Sequence, residues 1–544
     1  MTTALTPTPQ VAVPDWERAT ALDTLQAKGA MSVKLRGRQI ALFLQDGQVH
    51  ACNNRCPHEG YPLVEGHLDS ACVLTCHWHN WKFDLRDGGA NLYGGDRLRL
   101  YPTRVQDGRV LVDLQEPLPA ERIAQALVQL DAACALNDRP RIARELARAE
   151  KAGATAETVL MHAIAHSHDR FRYGMTHAHA SAEAWLRLRD GESDPAARLT
   201  CVAEVLGYLS IETLREPAYP YTDASMPWDA AAFLAAVEAQ DEAIALALLH
   251  GALEAKLGVE DLLPVLTEAA LAHYNDFGHS VIYLHHLRRL APRLGAESAR
   301  PLLRLWLRSV LYATREDLLP DFRAYAPALA AWSEAQTAAD KPVQPAVEAL
   351  QGRSVKQTLA ALLAVAHAPA AELLPLLAQA AAHQLLLFDV RVATRADNAV
   401  ADNVGWLDFS HALTFAQALH ALLPADSTRW PAALLQLGLF VGRNTPYLDP
   451  ALDLGDELAR WSSPAGAHSG WRAQVIDHGL GLDIFAVHWL KTSLAVDALG
   501  SIGWPEAVVD SLGAAQRRLL AARFKQRHPL RNGRQALAFV ARED

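Results

Sequence analysis

The sequence predicts a multidomain protein, with a small all-β domain at residues 1–115 and a large all-α domain at 116–544. Three observations carry that prediction. A chain of 544 residues exceeds the roughly 100–200 residues that one hydrophobic core usually serves. Up to about Leu114, runs such as ALFLQDGQVHACN and YPTRVQDGRVLVDL alternate apolar and polar residues around Asp-Gly pairs, the pattern of tight β-hairpins. Beyond Pro117, segments such as ERIAQALVQLDAACAL space their apolar residues three and four apart, as a helix buried along one face requires.

Composition narrows the class. Half of the residues are hydrophobic, and 51 basic against 61 acidic residues give a net charge of −10, which provides no electrostatic footprint for nucleic acid or anionic membrane. The start, MTTALTPTPQVAVPDWERA, shows neither the charged region nor the apolar stretch of an export signal, so a cytoplasmic location is expected. The most apolar region, Leu359 to Phe388, is broken by His367, Pro369, Glu372, Pro375 and His383. It falls short of an uninterrupted span of about 20 residues and reads as buried helices.

Within the helical region, prolines and polar clusters near residues 220 and 427 mark breaks. A short internal similarity is also visible, since Asp276-Phe277-Gly278-His279 and Asp408-Phe409-Ser410-His411 each open an apolar helical stretch. It is consistent with an ancestral duplication.

Four of the six cysteines, Cys52, Cys56, Cys72 and Cys76, lie close together, which points to metal rather than to a disulfide framework. Cys56-Pro57-His58, then 17 residues, then Cys76-His77-Trp78-His79 offers two thiolates and two imidazoles from two loops. Those four ligands suit a zinc ion and equally a mixed-ligand iron–sulfur cluster, in which imidazole in place of thiolate raises the potential. The stretches NRCPHEGYPL, CHWHNWKFDLRDG and YPTRVQDGRVLVDL decide for the second, because they resemble the Rieske ferredoxin family in order and spacing over about residues 15–115. The resemblance implies a [2Fe-2S] cluster held by Cys56, His58, Cys76 and His79. It also implies the ferredoxin and oxygenase type, because Gly60 and His77 stand where respiratory Rieske proteins carry a disulfide. At Asn80 the family often has glycine, and asparagine tolerates a left-handed backbone best after glycine. Cys52 and Cys72 read as small core residues, and His67 and His77 as solvent-facing.

A Rieske cluster moves single electrons and performs no substrate chemistry, so its fusion to a large domain implies that this domain uses the electrons. No Gly-x-Gly-x-x-Gly fingerprint follows a strand, which calls for a separate NAD(P)H-dependent reductase or ferredoxin as donor. The helical region also lacks the His-x4-His pair of ordinary Rieske oxygenases. It offers many histidines instead. Asp276-x-x-His279 and Asp408-x-x-His411 reproduce, with a shorter carboxylate, the Glu-x-x-His geometry by which helix bundles hold iron. A mono- or dinuclear non-haem iron could draw on Asp276, His279, Asp408 and His411, completed by His162, His166, His177 or His488. Segments DFGHSVIYLHHL and VHWLKTSLAVDAL are similar in character to the questin-oxidase-like family of helical, histidine-bearing proteins that open aromatic rings. Tyr173, Tyr274, Trp406 and Trp489 are the matching candidates for an aromatic pocket.

The expected function is a Rieske-dependent oxidoreductase, an oxygenase in which the cluster serves a His/Asp-bound iron that activates O2 against a small organic, aromatic substrate, in a monomer or a homo-oligomer. The alternative is an electron-transfer or redox-sensing protein whose helical domain is a metal-free scaffold for partner docking.

Overall fold

The structure is a computed structural model that describes residues 13–337, 343–399, 403–462 and 470–541. The reading of an absent export signal rests mainly on residues 1–12, which lie outside the described residues. The chain divides into two compact units, Met1–Val159 and Leu160–Asp544.

The first unit begins with β1 (Trp16–Ala21), α1 (Leu22–Lys28), β2 (Ala30–Leu35), β3 (Arg38–Gln45) and β4 (Gln48–Asn53). It continues with the short strands β5 (His67–Leu68), β6 (Val73–Thr75), β7 (Lys82–Asp84), β8 (Ala90–Asn91) and β9 (Leu100–Tyr101), then β10 (Thr103–Gln106) and β11 (Arg109–Asp113). They pair antiparallel into three sheets, β1-β11-β10, β2-β3-β4-β9 and β5-β6-β7-β8. The Asp-Gly pairs do what their chemistry requires. Asp46 and Gly47 turn β3 into β4, and Asp107 and Gly108 turn β10 into β11, each residue with positive φ, as a two-residue hairpin turn demands.

Strand β3 serves two cores because its side chains alternate between faces. Ile40 and Leu42 pack with Leu25, Ala51, Tyr101, Val110 and Val112. Ala41 and Phe43 face the opposite way, toward Leu63, Leu74, Phe83, Leu98 and the sulfurs of Cys56 and Cys76.

Two helices, α2 (Pro119–Ala135) and α3 (Arg139–Ala152), follow in this unit. Polar contacts tie α3 to the strand region. Asp96, fully buried, accepts from Arg144 at 2.5 and 3.0 Å and pairs with Arg148 at 2.7 Å, while Arg141 donates to the carbonyl of Gly94 at 2.6 Å. Asp96→Ala takes the carboxylate from Arg144 and leaves Arg148 only Glu145. Because Arg144 and Arg148 are 34% and 43% exposed, water screens part of the loss, and a cost of about 1–3 kcal/mol is expected. Calorimetry should show one transition lowered by about 2–4 °C per kcal/mol; an unmoved transition would show that the contact contributes nothing.

The second unit is helical among its described residues. Four of its helices form a closed ring: His177–Asp190, His279–Leu294, Trp406–Leu422 and Asp483–Gly500 each pack on the next, and the last packs on the first. Ala370–Leu387, within the apolar region noted above, is the one described helix long and apolar enough to cross a membrane, and 67% of it is buried inside the protein as a core helix.

Candidate metal centres

Two loops of the first unit share one backbone design. The Cys56 N–H donates to the carbonyl of Tyr61 and the Gly60 N–H returns to Cys56; likewise the Cys76 N–H donates to Trp81 and the Asn80 N–H returns to Cys76, all at 2.8–2.9 Å. Each loop reverses at its fifth residue with positive φ, 80° at Gly60 and 62° at Asn80. Asparagine thus takes the left-handed position that glycine holds in the sister loop.

This design buries the cysteines and presents the histidines. Cys56 and Cys76 are 4% and 1% exposed, whereas His58 is half-buried and His79 exposed. The Nδ1 atoms of the two imidazoles stand 3.2 Å apart. His58 stacks on Trp81 and His79 on Trp78, which fixes the ring planes. Burial pushes the Cys56 thiol up to about 11; the backbone N–H groups of His58 and Glu59 oppose the rise and Cys76 adds to it. Soft donors inside and paired imidazole nitrogens at the rim are the donor set that a mixed-ligand [2Fe-2S] group needs. Cys52 is a fully buried core residue, and Cys72 lies 3.7 Å from Nε2 of His50.

The second unit holds a group of four imidazoles. Nε2 of His279 lies 3.2 Å from Nε2 of His177 and 2.9 Å from Nε2 of His411, and Nε2 of His488 lies 3.1 Å from that of His177. Each ring comes from a different helix of the closed ring. Each outer nitrogen also meets a fixed group: the Tyr283 hydroxyl for His177 at 3.3 Å, the Leu407 carbonyl for His411 at 2.6 Å, Ser410 Oγ for His488 at 2.9 Å and, at ion-pair distance, Asp276 Oδ2 for His279 at 3.3 Å. Outer contacts of this kind select the tautomer that leaves Nε2 free for a metal. Burial holds His177, His411 and His488 well below the ordinary imidazole pKa, with their cationic neighbours adding to the effect. His177, His279 and His411 offer ligand nitrogens that all lie within 4.8 Å of one another, and His488 joins them through His177, a donor set of the kind that holds a first-row transition metal. The donors therefore fit one metal ion.

The backbone before His279 is strained in a way that serves this arrangement. Asp276, Phe277 and Gly278 have φ of 43°, 53° and 72°, left-handed one after another, which for the two non-glycine residues costs of order 1–2 kcal/mol each. The turn is held by bonds from the Asp276 N–H to Thr314, the Phe277 N–H to Glu316 and the Gly278 N–H to Asn275, at 2.7–3.0 Å. A Cβ on Gly278 would meet the Phe415 ring at 2.5 Å. The result sets Asp276 behind His279 and the Phe277 ring beside His411, with centroids 5.4 Å apart.

Of the ligand candidates read from the sequence, the structure gathers His177, His279, His411 and His488. Asp276 stands behind a ring rather than among the inner nitrogens, so the expected direct carboxylate is replaced by imidazole. Asp408 is turned away, because it lies in the first turn of its own helix. There its carboxylate accepts the Gly405 N–H at 2.8 Å and pairs with Arg443 at 3.3 Å. His162 and His166 stack on one another along the less buried face of Ala156–Ser167 and do not join the four. The expected aromatic lining is also different. Tyr173 is 58% exposed, Tyr274 packs on Phe322 and Phe440, Trp406 on Phe388 and Trp489 on Phe524. The aromatics beside the imidazoles are Phe277 and Tyr283. Tyr283 could have been found four residues after His279, on the same helix face.

The buried histidines give a pH dependence. An imidazole kept neutral by the fold but titrating near 6.5 when unfolded favours the unfolded chain in acid, so its contribution is present above that value and lost as pH falls. His177, His411 and His488 are joined by His179 at about 3 and His383 at about 4. Each adds up to about 1.4 kcal/mol per pH unit below about 6.5. The metal-free protein should lose urea resistance steeply between pH 6.5 and 5, and a flat profile there would contradict the neutral assignment.

The Rieske [2Fe-2S] domain family matches residues 15–98. Over 83 residues the chain is 39% identical to the ferredoxin component of the alkene monooxygenase system of Xanthobacter autotrophicus, covering 15% of this chain and 67% of that protein. Over 81 residues it is 37% identical to the 3-phenylpropionate/cinnamic acid dioxygenase ferredoxin subunit of Escherichia coli, covering 15% and 76%. Among solved structures, the terminal oxygenase of carbazole 1,9a-dioxygenase from Nocardioides aromaticivorans IC177 is 26% identical over 19% of this chain and 30% of that chain, with a TM-score of 0.17. These matches each cover under a fifth of the present chain, and two of them are to ferredoxin components of oxygenase systems. Such a domain implies a [2Fe-2S] cluster, and through residues 15–98 this chain belongs to the Rieske [2Fe-2S] domain family.

Proposed function

We propose that this protein is a Rieske-dependent oxidoreductase, an oxygenase, in which Cys56, His58, Cys76 and His79 hold the [2Fe-2S] cluster and His177, His279, His411 and His488 hold a single non-haem iron. The observation that carries this reading is the meeting of His177, His279 and His411, with His488 against His177, each ring fixed from behind. When bound, the cluster would supply single electrons at a potential raised by its imidazole ligands, and the iron would supply the centre for dioxygen chemistry on a small organic substrate. The protein's own part is positioning. Burial keeps His177, His411 and His488 neutral, so protons compete weakly for their ligand nitrogens. The Tyr283, Ser410 and Leu407 oxygens hold three rings in orientation, and the Asp276 carboxylate stands behind the fourth. Electrons would come from a separate NAD(P)H-dependent reductase or ferredoxin, and the thiolate ligands suit the reducing cytoplasm.

The test is the ratio of iron to acid-labile sulfide in anaerobically purified protein. The proposal requires one iron per chain beyond those matched by sulfide. Iron and sulfide in equal amounts would favour the other reading, an electron-transfer or redox-sensing protein with a metal-free helical scaffold.

A further inference from the structure

Lys491 lies one turn beyond His488 on the Asp483–Gly500 helix, on the face that carries His488 into the ring of helices. It is 2% exposed, and its Nζ has no hydrogen-bond partner among the described residues. Its charge acts on His177, His411 and His488, and on His286 in the next polar layer of the bundle. The carboxylate in that layer is occupied, because Glu183 accepts from Arg289 at 2.8 Å and from His286 at 3.2 Å. Asp276 faces the outer side of His279. Among the described residues no anion therefore answers Lys491, and burial alone pulls its ammonium down to about 7.

A buried ammonium is unfavourable unless it is paired. Here the imbalance is larger, because imidazole ligands, unlike carboxylates, bring no negative charge to offset that of a metal ion. Metal and lysine together would make a positive region in a low-dielectric interior, where charge complementarity is felt most strongly.

We propose that Lys491 is the substrate-binding residue for an anionic organic substrate, its ammonium pairing with a carboxylate or with the oxygen of an acidic enol or phenol placed beside the four-imidazole centre. This inference rests on the reading of that centre as a metal site and names the substrate class it takes. The pair is a charge-assisted hydrogen bond, N–H donating to O⁻, and the bound anion keeps the amine protonated. A neutral isostere leaves the ammonium unanswered and is rejected for that reason.

The test uses the full-length protein with cobalt(II) loaded into the helical site after chelation, probed with acetate and its neutral isostere acetamide by the visible cobalt spectrum and by calorimetry. Wild type is expected to bind acetate at least tenfold tighter than acetamide. Lys491→Met, whose unbranched side chain suits a buried position, is expected to take up the same amount of cobalt, to melt no lower than wild type and to lose at least tenfold in acetate affinity. Lys491→Arg should recover part of that affinity. Equal acetate binding by wild type and Lys491→Met, or no preference for acetate in wild type, would overturn the assignment while leaving the metal centre standing. Failure of wild type to take up cobalt in the helical unit would remove the centre and the assignment together.

Discussion

His411→Ala protein is expected to retain its full sulfide-matched iron and to lose the iron of the helical unit. His411 supplies one of the four converging nitrogens, and its Nε2 lies 2.9 Å from that of His279. Its removal takes away a ligand and opens a space that water can enter. Loss of an outer-sphere partner alone typically costs 10–100-fold in metal affinity, so loss of a ligand should exceed about 100-fold. Metal analysis beside sulfide analysis decides the matter. If the unmatched iron persisted in His411→Ala at the wild-type level, the helical centre would lie elsewhere.

Cys76→Ala is the complementary case. Its sulfur lies in the core with Leu74, Phe83 and Leu98, so the substitution removes a thiolate and leaves a small cavity. The visible absorption and the reduced-state paramagnetic signal of the cluster should disappear. The unmatched iron should remain, because the four helical histidines belong to the other compact unit. A surviving cluster spectrum would show that Cys76 is not a ligand. Taken together, the two variants separate the centres by chemistry and need no knowledge of the substrate.

The strand-rich start and the helical remainder were legible because both rest on local signals, the Asp-Gly turns and the spacing of apolar residues. The first candidate site was legible for the same reason, since both of its loops are short and its four candidate ligands span Cys56 to His79. The second was legible only as a surplus of histidine. His177 and His488 meet although 311 positions separate them, and no local pattern encodes that meeting. The similarity between Asp276-Phe277-Gly278-His279 and Asp408-Phe409-Ser410-His411 shows the limit most clearly. Glycine lets the first segment take left-handed turns and set its carboxylate behind His279. Serine continues the helix in the second, so Asp408 becomes a capping residue, while Ser410 turns its hydroxyl to His488. One residue in four thus redirects the carboxylate from a ring nitrogen to a backbone amide.

The closed ring of helices also bears on how the protein is made. Its four imidazoles enter the chain at 177, 279, 411 and 488, so a ribosome releases the last of them long after the first unit has had time to fold. Contacts of such sequence separation form late and slowly. A nascent chain can therefore assemble its cluster loops early, but it cannot present the complete four-nitrogen centre until the Asp483–Gly500 helix has docked. Loading of the proposed helical site would thus report that the Asp483–Gly500 helix has emerged and docked, and an iron able to react with oxygen would be admitted only after that step.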